Sequence, residues 1–193
     1  MSREKVGTIS SDEILLDRAR KGDQNAFREI LEQHQHTVAR TVAGMLGNTS
    51  EVDDVVQVVF IRFYKTLHRF RGEAACRTYL TRIAINASLD VLRRRKNLRS
   101  RFISRDDEKM MLPEPGAYDS ESERFDRIQL INSAMNQLKP HHRAVVVLRL
   151  IDGYSVIETA ELLGIAQGTV MSRLSRATAH LRTILGPILE EEN

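Results

Sequence analysis

Apolar residues recur every three or four positions along most of this chain and rarely alternate, so the pattern predicts helices throughout. Ser11, Asp12 and Glu13 can cap a first helix through Ile14, Leu15, Leu16 and Ala19, ending near Lys21 and Gly22. Asp23 opens a second, whose stripe is Phe27, Ile30, Leu31, His34, Val38, Val42, Met45 and Leu46, closed by Gly47 and Asn48. A third runs from about Ser50 to Phe70, with Val52, Val55, Val56, Val59, Phe60, Phe63, Leu67 and Phe70 facing the core. A Gly-interrupted basic connection, Arg69 to Thr78, leads to a fourth helix carrying Tyr79, Leu80, Ile83, Ala84, Ala87 and Val91 and ending in Arg93, Arg94, Arg95 and Lys96. Residues 1–10 read as a flexible leader.

The periodicity lapses over residues 100–126, which hold Pro113, Pro115 and Gly116, and resumes at Phe125, Ile128, Leu130 or Ile131, Ala134 and Leu138. Pro140 suits a helix start, and Ala144 to Ile151 continue an apolar helix that breaks at Asp152 and Gly153. Ser155 then caps a short helix patterned by Ile157, Ala160, Glu161 and Leu163 and stopped by Gly164. About three residues later a longer helix begins, striped by Val170, Leu174, Ala177, Leu181 and Leu185, with Gly186, Pro187 and a frayed acidic end after it. The fold class is all-α: two small helical domains, 11–99 and 127–187, joined by a flexible acidic linker over 100–126.

Two helices joined by a tight Gly turn, with small Ala160 at the crossing and Ile165 inside the turn, read as a helix-turn-helix, whose second helix enters the major groove of DNA. Gln167, Thr169, Ser172, Arg173 and Arg176 sit where such a helix meets base edges and phosphates. No acid occurs from Gln167 through Pro187 to repel a polyanion. An ordinary helical hairpin with a solvated basic face is the plainer alternative.

Charge sharpens this picture. The net charge of +3 decides nothing alone, but thirteen Lys and Arg between Arg62 and Arg105 oppose two acids, a balance of +11. From Asp106 to Asp126 eight acids oppose two bases, a balance of −6. Lys and Arg displace counterions from phosphates, so an apolar helix flowing into a basic run suits a backbone-gripping element, whereas charges favourable to a helix dipole are the plainer explanation. Asp53, Asp54 and Gln57 lie off the core face of the third helix, either as dipole-matching acids or as an acidic contact surface.

Other chemistry is sparse. His34 and His36 at i, i+2 point to different helix faces with no acidic or Cys partner at ligand spacing, so they read as solvated or half-buried and no metal is expected. The single Cys76 excludes an intramolecular disulfide framework and fits a reducing compartment. With a polar N-terminus and no long apolar run, the expected location is the cytoplasm. No clustered nucleophile or ligand set marks an enzyme such as a recombinase, and neither cofactor nor small-molecule substrate is expected.

Two stretches are specific enough to compare with a family. Asp53 to Phe60 (DDVVQVVF) and Phe70 to Asn86 (FRGEAACRTYLTRIAIN) closely resemble region 2 of the extracytoplasmic-function (ECF) sigma factors of bacterial RNA polymerase. Leu138 to Pro140, Gly153 to Ser155, Glu158, Ala160 to Gly164 and Gly168 to Ala177 resemble their region 4. The resemblance implies that Gln167, Thr169, Ser172, Arg173 and Arg176 read a minus-35 element. It implies that Arg71, Gly72, Arg77, Thr78, Tyr79, Arg82 and Asn86 capture the melted minus-10 strand, and that Asp53, Asp54, Gln57 and Phe60 bind the clamp helices of core RNA polymerase. It further implies promoter DNA and an anti-sigma factor as partners, the latter able to hold the protein at the inner membrane. Val58 departs from an acid common in the family, Cys76 and Tyr79 from larger aromatics, and Met171 from a phosphate-contacting residue. The alternative function is a helix-turn-helix regulator acting without polymerase, which leaves the basic loop of residues 69–79 unexplained.

Overall fold

The computed structural model describes residues 11–70, 75–102 and 120–191. The expected leader and most of the expected linker lie outside these residues. Eight α-helices occur among those described: α1 (Ser11–Arg20), α2 (Gln24–Leu46), α3 (Glu51–Thr66), α4 (Cys76–Phe102), α5 (Ser120–Gln137), α6 (Pro140–Val146), α7 (Val156–Leu163) and α8 (Gln167–Glu191). A 3-10 turn, Leu67–Arg69, follows α3, and a π-helical segment, Val147–Ile151, extends α6.

Local chemistry sets several boundaries. The Asp23 carboxylate accepts from the Asn25 and Ala26 amides (2.9 and 3.2 Å), which satisfies two donors that the start of α2 leaves without helical partners. Those hydrogen bonds, with Arg18, hold the Asp23 carboxyl below its ordinary range. Gly47 ends α2 at φ 77°, a backbone state in which a side chain would be strained. Pro140 occupies the first turn of α6, where no amide donor is needed.

Three expected boundaries move. The helices α4 and α5 extend into both ends of the stretch read as linker, reaching Phe102 and starting at Ser120. Arg77 and Thr78 belong to the first turn of α4 rather than to the connection before it, because Cys76 already opens that helix, and Tyr79 is helical as expected. Pro187 does not stop α8, which continues to Glu191. A proline removes one amide donor and crowds the carbonyl four residues back, yet its fixed φ is itself helical.

In the first domain α2, α3 and α4 pack on one another, and α1 lies against α2 and the 67–69 turn. Ile30, Val38, Val42, Val59, Phe63, Leu80 and Ile85 are buried at its centre. Aromatic rings organise one end: Phe27 stacks on Phe63 at 6.0 Å, Tyr64 meets Phe27 edge-on at 4.9 Å, and Phe70 sits 4.8 Å from Tyr79.

The second domain docks on the first. Met45 and Leu46 share one continuous apolar core with Met135, Leu138, Ala144, Val147, Leu148 and Tyr154. Gly44 permits the approach, since a Cβ there would lie 3.0 Å from Val147 Cγ2 and 3.3 Å from Ile151 Cδ1. Polar groups fix the seam. Buried Arg143 donates to the Met45 carbonyl at 2.7 Å and to Asn136 Oδ1 at 3.0 Å, and burial, with Arg95 adding, brings its pKa down to about 10. The Asp152 carboxylate accepts from Arg40 Nε at 3.1 Å and from the Thr41 hydroxyl at 2.8 Å. Arg77 donates to the Asp152 carbonyl at 2.7 Å, and the Tyr154 hydroxyl donates to Thr81 at 3.0 Å.

Candidate nucleic-acid interface

The helix-turn-helix forms as its punctuation requires. Ser155 accepts from the Glu158 amide at 3.2 Å while the Glu158 carboxylate accepts from the Ser155 amide at 2.7 Å, a reciprocal cap for α7. Hydrogen bonds to it from the Ser155 amide, and then the Ser155 side chain, hold the Glu158 carboxyl below its ordinary range. Gly164 turns the chain at φ 63°, in the left-handed region. Val145, Ala160 and Val170 are buried where α6, α7 and α8 meet, with Ile165 and Leu174 packed against them. Ile157, expected on the apolar face, is instead 55% exposed, and Leu162 is buried. A helix this short buries only one narrow stripe, and Thr159, Ala160 and Leu162 occupy it.

On α8, Thr169, Ser172, Arg173 and Arg176 follow i, i+3, i+4, i+7 spacing and so share one face, about a quarter-turn around the helix from buried Val170 and Ala177. Gln167, Ser172 and Arg176 are exposed and Thr169 and Arg173 half-buried. Met171 is 56% exposed. His142 of α6 lies beside this face: burial, then Lys139, Arg173 and Arg176, push its pKa down. The helix start adds partial positive charge from its free amides, so the whole surface favours an anion.

A second polar surface lies on the first domain. Arg62, Lys65, Thr66, Tyr79, Ile83 and Asn86 line an open groove of about 330 Å³ between α3 and α4. Tyr79 is held in place by a relay, its hydroxyl donating to Thr66 at 3.0 Å and Thr66 donating to the Arg62 carbonyl at 2.9 Å. Arg82 covers its ring at 5.2 Å. An aromatic ring flanked by cations suits single-stranded nucleic acid, where bases stack and phosphates need counter-charge. The groove unites Tyr79 and Asn86 with Arg82 beside them, and adds Arg62 and Lys65, which sequence reading took only as part of a charge count. Thr78 is half-buried next to this groove. Arg71 and Gly72 lie outside the described residues. Arg77 is turned away to the other domain, its guanidinium on the Asp152 carbonyl and 5.3 Å over the Tyr154 ring.

The acid-fronted face of α3 is a third surface. Asp53, Asp54 and Gln57 are exposed there, beside Val58 (39% exposed) and Ile61 (53%). Phe60 does not join them: it is 7% exposed and packs in the core, because it falls on the helix stripe with Val59 and Phe63. Apolar Val58 and Ile61 are thus exposed among acids on one helix face. Part of the basic run is matched by acids here, with Arg62 and Arg93 3.6 and 3.4 Å from Asp90 and Arg95 paired with Glu51. Cys76 is buried, and burial, with Asp12 adding, pushes its thiol up to about 12, so it stays a neutral thiol at neutral pH unless a cation sits beside it.

Comparison with known proteins finds matches to two stretches of the chain. Residues 30–98 match the family Sigma-70 region 2, and residues 128–181 match Sigma-70, region 4. The chain is 30% identical to the RNA polymerase sigma-H factor of Pseudomonas aeruginosa, over 95% of this chain and 98% of that one. It is 33% identical to the ECF RNA polymerase sigma factor SigM of Mycobacterium tuberculosis (91% and 85%) and 31% identical to the ECF RNA polymerase sigma-E factor of Escherichia coli (93% and 96%). Among solved structures, CnrH in complex with the cytosolic domain of CnrY is similar with a TM-score of 0.68 at 27% identity, covering 92% of this chain and 99% of that one. The sigma factor RpoE of Bartonella quintana, solved with the anti-sigma factor NepR, shares the fold with a TM-score of 0.64 at 20% identity, over 83% and 96%. Matched in order by both sigma regions and by relatives along nearly its whole length, the chain belongs to the ECF sigma factors of the sigma-70 family, transcription initiation factors and not enzymes.

Proposed function

We propose that this sigma factor divides promoter recognition between the two polar surfaces and meets polymerase with the third. The α8 face of Gln167, Thr169, Ser172, Arg173 and Arg176 reads the minus-35 element in the major groove, with Arg173 and Arg176 reaching guanines or phosphates. The α3/α4 groove, with Tyr79, Arg82 and Asn86, receives the melted minus-10 strand, and Arg62 and Lys65 neutralise its backbone. Extruding a base costs a few kcal/mol, and a fixed ring with flanking cations offsets it only for a strand already opening. Asp53, Asp54 and Gln57, with Val58 and Ile61, dock on the clamp helices of core polymerase. The observation that carries this reading is the pairing on one chain of a groove with a tyrosine ring flanked by cations and a basic-faced helix-turn-helix, since a duplex-only regulator has no use for the groove.

The working place of such a factor is the cytoplasm; no helix among the described residues is long and apolar enough to cross a membrane. An anti-sigma factor is the expected regulatory partner, as the solved relatives bound to CnrY and NepR suggest by analogy. Run-off transcription with bacterial core polymerase on a panel of promoter fragments tests the proposal. Specific transcripts appear only when the chain is added, and Asn86→Ala lowers open-complex formation while sparing minus-35 duplex binding. Sequence-specific duplex binding with no affinity for core polymerase would overturn it in favour of a polymerase-independent regulator.

A further inference from the structure

Three helices bring together side chains that sequence spacing keeps apart: Asp12 on α1, His34 on α2 and Cys76 at the start of α4. One ligand atom from each lies within 4.8 Å of the other two, and His34 Nε2 is 3.4 Å from Asp12 Oδ2. That nitrogen is buried and makes no hydrogen bond, its approach to Asp12 being misaligned for one. The His34 side chain is 12% exposed and the Asp12 side chain 30%, so the cluster is enclosed but reachable from solvent on the Asp12 side. A buried imidazole nitrogen without a partner is costly, and here it faces a carboxylate and a thiol.

We propose that Asp12, His34 and Cys76 form a binding site for a divalent transition metal of the zinc class. Donors around a tetrahedral zinc ion stand roughly 3.3 to 3.6 Å apart, so side-chain rotations that draw the three atoms together by about 1 Å complete it. One sulfur, one imidazole nitrogen and one carboxylate oxygen make a borderline-soft set, which disfavours magnesium and calcium. A water from the Asp12 side fills the fourth position. Binding exchanges the Cys76 thiol proton for the metal and releases it to buffer, with no change of oxidation state. Cys76 lies three residues before Tyr79, so an occupied site ties α1 and α2 to the first turn of the helix that carries Tyr79, Arg82 and Asn86.

Cobalt(II), added to the reduced, tag-free full chain, is the probe. The expected result is one equivalent of cobalt, a thiolate-to-cobalt charge-transfer band with the ligand-field bands of a four-coordinate ion, and their loss when zinc is added. As Cys76 is the chain's single cysteine, any thiolate band reports this site. Cys76→Ser abolishes the band, and His34→Ala and Asp12→Asn each weaken cobalt binding by roughly tenfold or more, given that even supporting residues matter that much at metal sites. Asp12→Asn, on partly exposed α1, keeps the test valid if His34→Ala fails to fold. Absence of a charge-transfer band in the unaltered chain, or a band whose affinity neither the Asp12 nor the His34 change alters, overturns the proposal.

Discussion

Arg173 and Arg94 carry the same charge on different kinds of surface, so their removal has different signatures. Arg173 stands on the α8 face with Thr169, Ser172 and Arg176, and Arg173→Ala weakens binding to the preferred minus-35 duplex by about 1 to 3 kcal/mol and relaxes its sequence preference. Arg94, exposed at the basic end of α4, touches backbone phosphate at most, so Arg94→Ala lowers affinity for all sequences alike and reduces the salt slope by about one. Titrating binding against salt on matched and scrambled duplexes separates the two; identical losses on every sequence would refute base reading by α8. His142 adds a pH signature. Its pKa in the folded chain is below the ordinary 6.5, through burial and then the cations Lys139, Arg173 and Arg176. The unfolded chain therefore binds its proton first as pH falls. The stabilisation from neutral His142 is complete above 6.5 and is lost as pH drops through the lowered value. Denaturant midpoints of His142→Gln then vary less with pH across that window than those of the unaltered chain.

At the scale of elements, the two glycines flanking the helix-turn-helix joint answer substitution in opposite directions. Gly164 sits at φ 63° and Gly168 in the first turn of α8, and a Cβ at either meets nothing within 4 Å. Sterics with neighbours thus drop out and backbone preference decides. Gly164→Ala destabilises by about 1 to 2 kcal/mol, because an L-residue in the left-handed region crowds its own carbonyl. Gly168→Ala stabilises by up to about 1 kcal/mol, since Gly is a poor helix former. Chemical denaturation measures both, and a stabilising Gly164→Ala would contradict the turn geometry. These features are legible in the sequence because they are local: Ser155, Gly164, Asp23, Gly47 and Pro140 each act on the amides or carbonyls next to them. Periodicity likewise exposes the core stripes of α2 and α3. What it does not expose depends on which neighbour covers a face. Phe60 lies on the core stripe that periodicity marks and is buried there; only the resemblance set it among polymerase contacts with exposed Asp53, Asp54 and Gln57. Asp12 and Cys76 are 22 and 42 residues from His34 in the chain, so no local spacing rule could join them. Arg77 is 75 residues from the carbonyl it binds.

At the scale of the molecule, the docking of the second domain on the first rests on an apolar seam with Asp152, beside Arg143 and Tyr154, as one of its polar fastenings. Asp152 has a fully buried carboxylate that faces Arg40 and Thr41 across the seam, and its carbonyl accepts from Arg77. The arrangement is asymmetric: the α8 residues Gln167, Ser172 and Arg176 remain exposed, whereas Arg77 of the first domain is occupied by the second. Asp152→Ala removes the acceptor that Arg40 and the Thr41 hydroxyl share, Thr41 keeping only the Thr37 carbonyl at 2.9 Å, and one buried hydrogen-bonded group of this kind is worth about 1 to 3 kcal/mol. Because Arg40 is half-exposed and can turn to water, the lower part of that range applies, which shifts the balance between docked and separated domains by roughly tenfold. Small-angle scattering of Asp152→Ala gives a larger radius of gyration than the unaltered chain, and minus-35 duplex binding is unchanged. Gly44→Leu, which drives a side chain into Val147 and Ile151, gives the same expansion by a steric route that leaves every hydrogen-bonding side chain in place. Expansion in both variants assigns the seam as the hinge of the molecule; scattering curves that superimpose on the unaltered chain in both would show that neither the Asp152 fastening nor the Gly44 contact holds the domains together.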